Sequence, residues 1–213
     1  IMNRIIILLT FIAQVCLQKY QTKNVTGELT LVQCEDNLIE ITGKVYGLTP
    51  GLHGIHVHEK GDLRNGCMST GPHFNPKNVT HGGQNSPVRH VGDLGNILAT
   101  ESGVADVNIK DSIISFTGNN NIIGRAIVIH SGEDDLGRGS SPLSPSTGNS
   151  GDRWACGIIE FRSISLEYRE FHIVYYLHIP LREMKIRLYE VYHMRSLNLN
   201  LKVVELEKNS MVY

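Results

Sequence analysis

Six histidines and one aspartate carry the chemistry open to this chain. His56 and His58 stand two apart in the run GIHVHEKG. On an extended strand both imidazoles would leave one face while Ile55 and Val57 leave the other. Taken alone, such a pair is as well explained by two solvent-facing polar residues. It is followed, however, by His73, His81, His90 and Asp93, and His130 ends the apolar run GRAIVIH. Neutral imidazole suits zinc and copper, and one carboxylate among imidazoles is a common zinc set. Calcium or magnesium would want mostly oxygen ligands. Two four-coordinate metals need eight donor atoms, and these seven residues supply eight only if one imidazole uses both ring nitrogens. Spacing alone does not say which one.

The elements that must hold these residues read as β-structure. From Gly27 the pattern has period two: Leu29 and Leu31 share a face, Asp36-Asn37 makes a turn, and Ile39, Ile41 and Val45 share the next face. GNILAT, GVADVNI, SIISFT and GRAIVIH are further strand-length runs, separated by short turn-forming segments at the spacing of sandwiches and barrels. The fold class expected is all-β. Residues 59–92 and 131–153 break the rhythm, being rich in Gly, Pro, Ser or Asn and too long for hairpin loops. Loops of that length in a small domain are usually functional or disordered, and these carry or border nearly all the histidines of the body.

Composition narrows the function classes. The chain has 213 residues, of which 41% are hydrophobic and 19% charged, within the globular range. Twenty basic and twenty-one acidic side chains give a formal charge of −1, so no global basic field exists to hold a nucleic acid or an anionic membrane. All 21 glycines lie between Gly27 and Gly157, which sets the boundary of the Gly-rich domain near residue 161. The expected organisation is 1–20 as a signal peptide, 21–161 as the domain, and 162–213 as a tail without a motif.

The N-terminus joins Met2-Asn3-Arg4 to about thirteen mostly apolar residues, the length of a secretory signal and too short for a membrane-spanning helix. Secretion is the expected destination. The competing reading makes the same residues a buried strand, and the protein cytoplasmic. Cys16 would leave with a signal, so Cys34, Cys67 and Cys156 would remain, one pair and one spare thiol. The sequons Asn24-Val25-Thr26 and Asn78-Val79-Thr80 fit a secreted surface.

GLHGIHVHEKGD, GCMSTGPHFNP, RHVGDLGN, GRAIVIHSGEDDLGRG and TGNSGDRWACGII, in that order, closely resemble the copper/zinc superoxide dismutases, and of these the extracellular type. The resemblance spans about residues 24–160. It implies a Greek-key β-sandwich or barrel with two long functional loops, and dismutation of superoxide to oxygen and hydrogen peroxide by copper alternating between cupric and cuprous states. It further implies copper on His56, His58, His73 and His130, zinc on His73, His81, His90 and Asp93, and His73 as the bridge that also exchanges a proton. Asp134 becomes the outer carboxylate linking His56 to His81, and such groups fix tautomer and orientation. Cys67 and Cys156 become the disulfide, closing a loop worth roughly 4–5 kcal/mol in the chain-entropy treatment. Arg153 becomes the cation that attracts and positions superoxide, and a homodimer is implied as well. His53 is kept as a structural histidine that ligates no metal.

The second long loop departs from the family in showing Ser, Pro and Leu at 140–146, and Asp152 stands beside Arg153. Weaker guidance of the anion is expected. Two other classes compete with an enzyme. A non-catalytic metal-binding relative would be marked by a lost copper ligand, and none is lost; an inactive product with aberrant termini is the other form of this alternative. A copper-delivery protein would carry a CxxC module and a CxC tail, and neither occurs among the four cysteines.

Overall fold

A computed structural model describes residues 12–20, 23–34 and 38–161. The first eleven residues, the Asp36-Asn37 turn and the tail at 162–213 lie outside them. The strands are β1 Ile12–Lys19, β2 Thr26–Gln33, β3 Ile39–Tyr46, β4 Gly51–His58, β5 Arg64–Cys67, β6 Asp93–Ala99, β7 Val104–Asp111, β8 Ala126–His130, β9 Arg153–Ile158 and β10 Glu160–Phe161. A single turn of α-helix, α1, covers Ser144–Thr147, and short 3-10 turns lie at Met68–Thr70 and Gly118–Asn120.

Period-two alternation builds most of these strands. In β1 Ala13, Val15 and Leu17 are buried and their neighbours are not; in β7 Ala105, Val107 and Ile109 are buried. β2 and β3 supply Leu29, Leu31, Ile39, Ile41 and Val45 to the same core. Alternation disappears in β4 and β8, where residues 53–58 and 126–130 are all buried. One face of these two strands lines the core, and the long loops cover the other. The solvent-facing reading of the His56/His58 pair therefore fails.

The strands pair in the order β1-β2-β3-β7-β6-β4-β8-β9, every neighbour antiparallel, and β9 returns to β1 through Gln18↔Cys156 and Lys19↔Ala155. Eight strands thus close into a barrel, which leaves no long unpaired edge. Between β3 and β4, and between β7 and β8, the chain passes over two strands before pairing, which gives the expected Greek-key order. The segment claimed by both readings of the N-terminus, Ile12–Lys19, is strand β1 here.

SIISFT, expected as a strand, is not one. Asp111 Oδ1 accepts from the backbone N–H groups of Ile113 and Ile114 at 2.8 and 2.9 Å, turning the chain as soon as β7 ends. Its apolar residues still serve the core, because Ile114 and Phe116 are buried and only Ser115 makes a bridge, to Asn121.

Candidate metal centre

β4 carries His56 and His58, and its antiparallel neighbour β8 ends in His130. The first long loop, 59–92, is pinned beside them by backbone bonds. Phe74 N–H donates to Val57 O at 2.8 Å, Gly92 N–H to Phe74 O at 3.0 Å, and Val57 N–H to Gly92 O at 2.9 Å. These set His73 against β4 and lead His90 into Asp93, the first residue of β6. The donor atoms of His56, His58, His73 and His130 lie within 4.8 Å of one another, as do those of His56, His73, His81 and Asp93. All six histidines are at or below 5% exposed, and Asp93 and Asp134 are fully buried.

Hydrogen-bond partners decide which nitrogen of each ring is left over. His58 Nδ1 donates to Gly71 O at 2.7 Å, His130 Nδ1 to Gly151 O at 3.3 Å, and His90 Nε2 to Val79 O at 3.0 Å. His56 Nε2 and His81 Nε2 both donate to Asp134, at 2.8 Å each. That fixes Nε2 of His58 and His130, and Nδ1 of His56, His81 and His90, as the bare nitrogens. His73 points Nδ1 at Asp93 Oδ1, 2.9 Å away, and Nε2 away from it. Asp93 also lies 3.0 Å from His81 Nδ1 and 3.1 Å from His90 Nδ1.

Four of these ligand-facing nitrogens, His56 Nδ1, His73 Nε2, His81 Nδ1 and His90 Nδ1, are buried without a hydrogen-bond partner. Orphaned polar atoms at that depth cost about 1–3 kcal/mol each unless something satisfies them. Metal ions would satisfy all four, and the donor set fits two of them. His56 has a single nitrogen left and can serve only one of the two sets. His90 Nδ1, 3.1 Å from Asp93 Oδ1, offers a further bare nitrogen beside the second set.

Electrostatics suits neutral imidazole ligands. Burial first, then repulsion from neighbouring imidazoles, pushes His56 and His58 well below the ordinary histidine range, and burial takes His130 down to about 3. His73 is lowered by burial despite Asp93. His81 is the exception: burial works against it, but the hydrogen bond to Asp134 and the negative charge of Asp93 beside it raise it to about 9 in the metal-free site. Burial opposes ionisation of Asp93 too, yet the hydrogen bond from His73 and the imidazoles of His81 and His90 beside it hold it far below the usual carboxylate range.

Arg153, at the start of β9, donates through Nη1 to Cys67 O at 2.8 Å and to Thr70 Oγ1 at 3.1 Å. Its charge is felt at His58 and His130, where it helps disfavour the protonated ring. Cys67 and Cys156 form a disulfide with Cα atoms 5.6 Å apart, tying the first long loop to β9; Cys16 and Cys34 are free. Both nitrogens of His53 are engaged by backbone, Nδ1 lying 2.8 Å from His130 O and Nε2 2.8 Å from Thr49 O.

Three supporting residues escape a reading of the sequence. Arg89, buried beside His90, pairs with Asp111 and donates to the backbone carbonyl of Asp93. Asn96 clamps Asp134 from both sides, accepting from its N–H and donating to its carbonyl, both at 2.8 Å. Gly148 caps α1 in the left-handed region at φ 62°, and a Cβ there would come within 1.8 Å of Asp134 Oδ1. Only glycine lets the second loop close over that carboxylate. Arg89 adjoining a histidine is the one trace of these three in the sequence.

Residues 25–159 match the profile of a family described as copper/zinc superoxide dismutase (SODC). Superoxide dismutase [Cu-Zn] 3 of Arabidopsis thaliana is 54% identical over 140 residues, 66% of this chain and 85% of that one. Extracellular superoxide dismutase [Cu-Zn] of Haemonchus contortus is 56% identical over 133 residues, 62% of this chain and 72% of that one. Among solved structures, that of the clock protein EA4 matches with a TM-score of 0.67 and 44% identity, covering 71% of this chain and 94% of its own.

Proposed function

This chain belongs to the copper/zinc superoxide dismutase family, and we propose that its bare nitrogens divide between the two metals as their tautomers direct. Copper falls to His56 Nδ1 and to Nε2 of His58, His73 and His130. Zinc falls to Nδ1 of His73, His81 and His90 and to the Asp93 carboxylate. The reaction is dismutation of superoxide to dioxygen and hydrogen peroxide. The observation that carries the assignment is the set of four partnerless buried imidazole nitrogens, each of which is a donor that one of the two ligand sets requires.

Bound copper supplies the one-electron chemistry, and bound zinc supplies fixed positive charge without redox change. The chain's own residues do the rest. His73 alone faces both sets, and its Nε2, buried and without an acceptor, would hold a proton for delivery to the reduced substrate whenever copper does not occupy that nitrogen. Arg153, anchored through Nη1, draws the superoxide anion toward His58 and His130 and orients it there. Asp134 holds His56 and His81 in the tautomer that leaves Nδ1 bare.

His130→Ala tests the assignment. Expected are loss of copper with zinc retained by metal analysis, and superoxide decay at background rate. Copper retained at the parent's stoichiometry would sink it.

We read the protein as extracellular. The Haemonchus relative bears that name, and Asn24 and Asn78 of the two sequons are exposed. Among the described residues no helix is long and apolar enough to cross a membrane. A leader whose removal spared the barrel would end before Ile12, so the N-terminal residue of the secreted protein is expected at or before that position. A homodimer is proposed on the resemblance alone; a monomer mass in sedimentation would remove it.

A further inference from the structure

One aromatic residue outside the ligand set stands where the constraints on Arg153 meet. Tyr20 follows β1, and its N–H donates to Trp154 O at 3.2 Å, which ties it to β9 one residue from Arg153. Its ring lies on the backbone of Gly66: a Cβ at that position would come within 2.1 Å of Tyr20 Cε2 and 2.3 Å of Cδ2. Gly66 also has a φ of 55°, so side chains are disfavoured there twice over. The same ring, with Leu63, packs on the buried cluster of Cys67, Val128 and Cys156. Gly66 is followed by Cys67, whose carbonyl takes both Arg153 Nη1 and the Thr70 hydroxyl, each at 2.8 Å.

We infer that Tyr20 is a positioning residue for Arg153: its ring holds down the Gly66–Cys67 backbone that receives the guanidinium, and it covers the Cys67–Cys156 disulfide against attack by solution thiols. Thiol exchange needs access to a sulfur atom. Cys67 is 0% exposed and Cys156 3%, and the Tyr20 ring forms part of their cover. The inference rests on the reading of Arg153 as the anion-positioning cation, and the test separates the two.

The test uses the full chain loaded with copper and zinc, in four variants: Tyr20→Ala, Tyr20→Phe, Gly66→Ala and Arg153→Met. Two quantities are read: azide affinity from the copper absorption band, and the rate of thiol release in dithiothreitol. Tyr20→Ala is expected to weaken azide about threefold to tenfold, the scale of one disturbed hydrogen bond, and to speed thiol release about fivefold or more as the sulfurs become accessible. Gly66→Ala, whose methyl displaces the ring, is expected to shift both in the same direction. Tyr20→Phe keeps the ring and should stay near the parent in both. Arg153→Met should weaken azide and leave thiol release unchanged.

If Tyr20→Ala leaves azide affinity at the parent's value, the positioning role is overturned, whatever happens to the thiols. If Arg153→Met leaves azide unchanged, the reading of Arg153 fails, while thiol release in Tyr20→Ala still reports on the cover. Should Tyr20→Ala fail to fold, Tyr20→Leu carries the same expectations, keeping apolar bulk without a flat ring.

Discussion

Asp134 accepts one hydrogen bond from a histidine of each proposed metal set, so it acts on both sets through a single buried carboxylate. An Asn at this position can accept from one ring, but its amide turns an N–H toward the other and forces that imidazole into the wrong tautomer. Asp134→Asn is therefore expected to lower metal affinity about 10–100-fold, measured by chelator competition for each metal separately. Unchanged affinity for both would remove its role. At this scale the sequence was highly legible: every proposed ligand was visible as a residue type, and the resemblance divided them. Asn96 was not legible, because its partners are the N–H and carbonyl of Asp134, which come within reach only once β6 and the second loop have folded.

Elements hold these residues at fixed distances, and the first long loop depends on Arg89 for its attachment. Arg89 joins Asp111 at the end of β7 to the carbonyl of Asp93 at the start of β6, wholly inside the protein. Removing one partner of a buried ion pair leaves the other charge uncompensated, so Arg89→Met is expected to cost about 3–5 kcal/mol, read from urea unfolding of the metal-free protein. A loss below about 1 kcal/mol, the level of an exposed pair, would contradict this. The strands themselves were mostly legible from period two, as in Leu29/Leu31 and Ile39/Ile41. The pattern misled twice, for two physical reasons. At SIISFT, Asp111 captures the next two backbone N–H groups and bends the chain before a strand can form. At β4 and β8, both faces are covered, so polar histidines occupy positions where alternation predicts solvent.

For the whole molecule, the buried and partnerless nitrogens make the metal-free state the less stable one. Any ligand that binds only the folded chain stabilises it, by about 4 kcal/mol when present at a thousand times its dissociation constant. Exhaustive chelation is expected to lower the thermal midpoint by about ten degrees, since about 1 kcal/mol moves a domain of this size by roughly 2–4 °C; a midpoint unmoved by chelation would argue against the nitrogens being ligands. Strand order was the least legible feature, because pairing of β3 with β7 and of β9 with β1 joins segments far apart in the chain, and only the resemblance anticipated it. The closing pair has a consequence of its own. β1 is the stave that seals the barrel, with β2 on one side and β9 on the other. Strip it away, by a cut placed beyond it, and two strands are left with open rows of amides and carbonyls, each able to recruit a strand from another molecule. Retention of eight residues, Ile12–Lys19, thus separates a discrete particle from a subunit poised to polymerise.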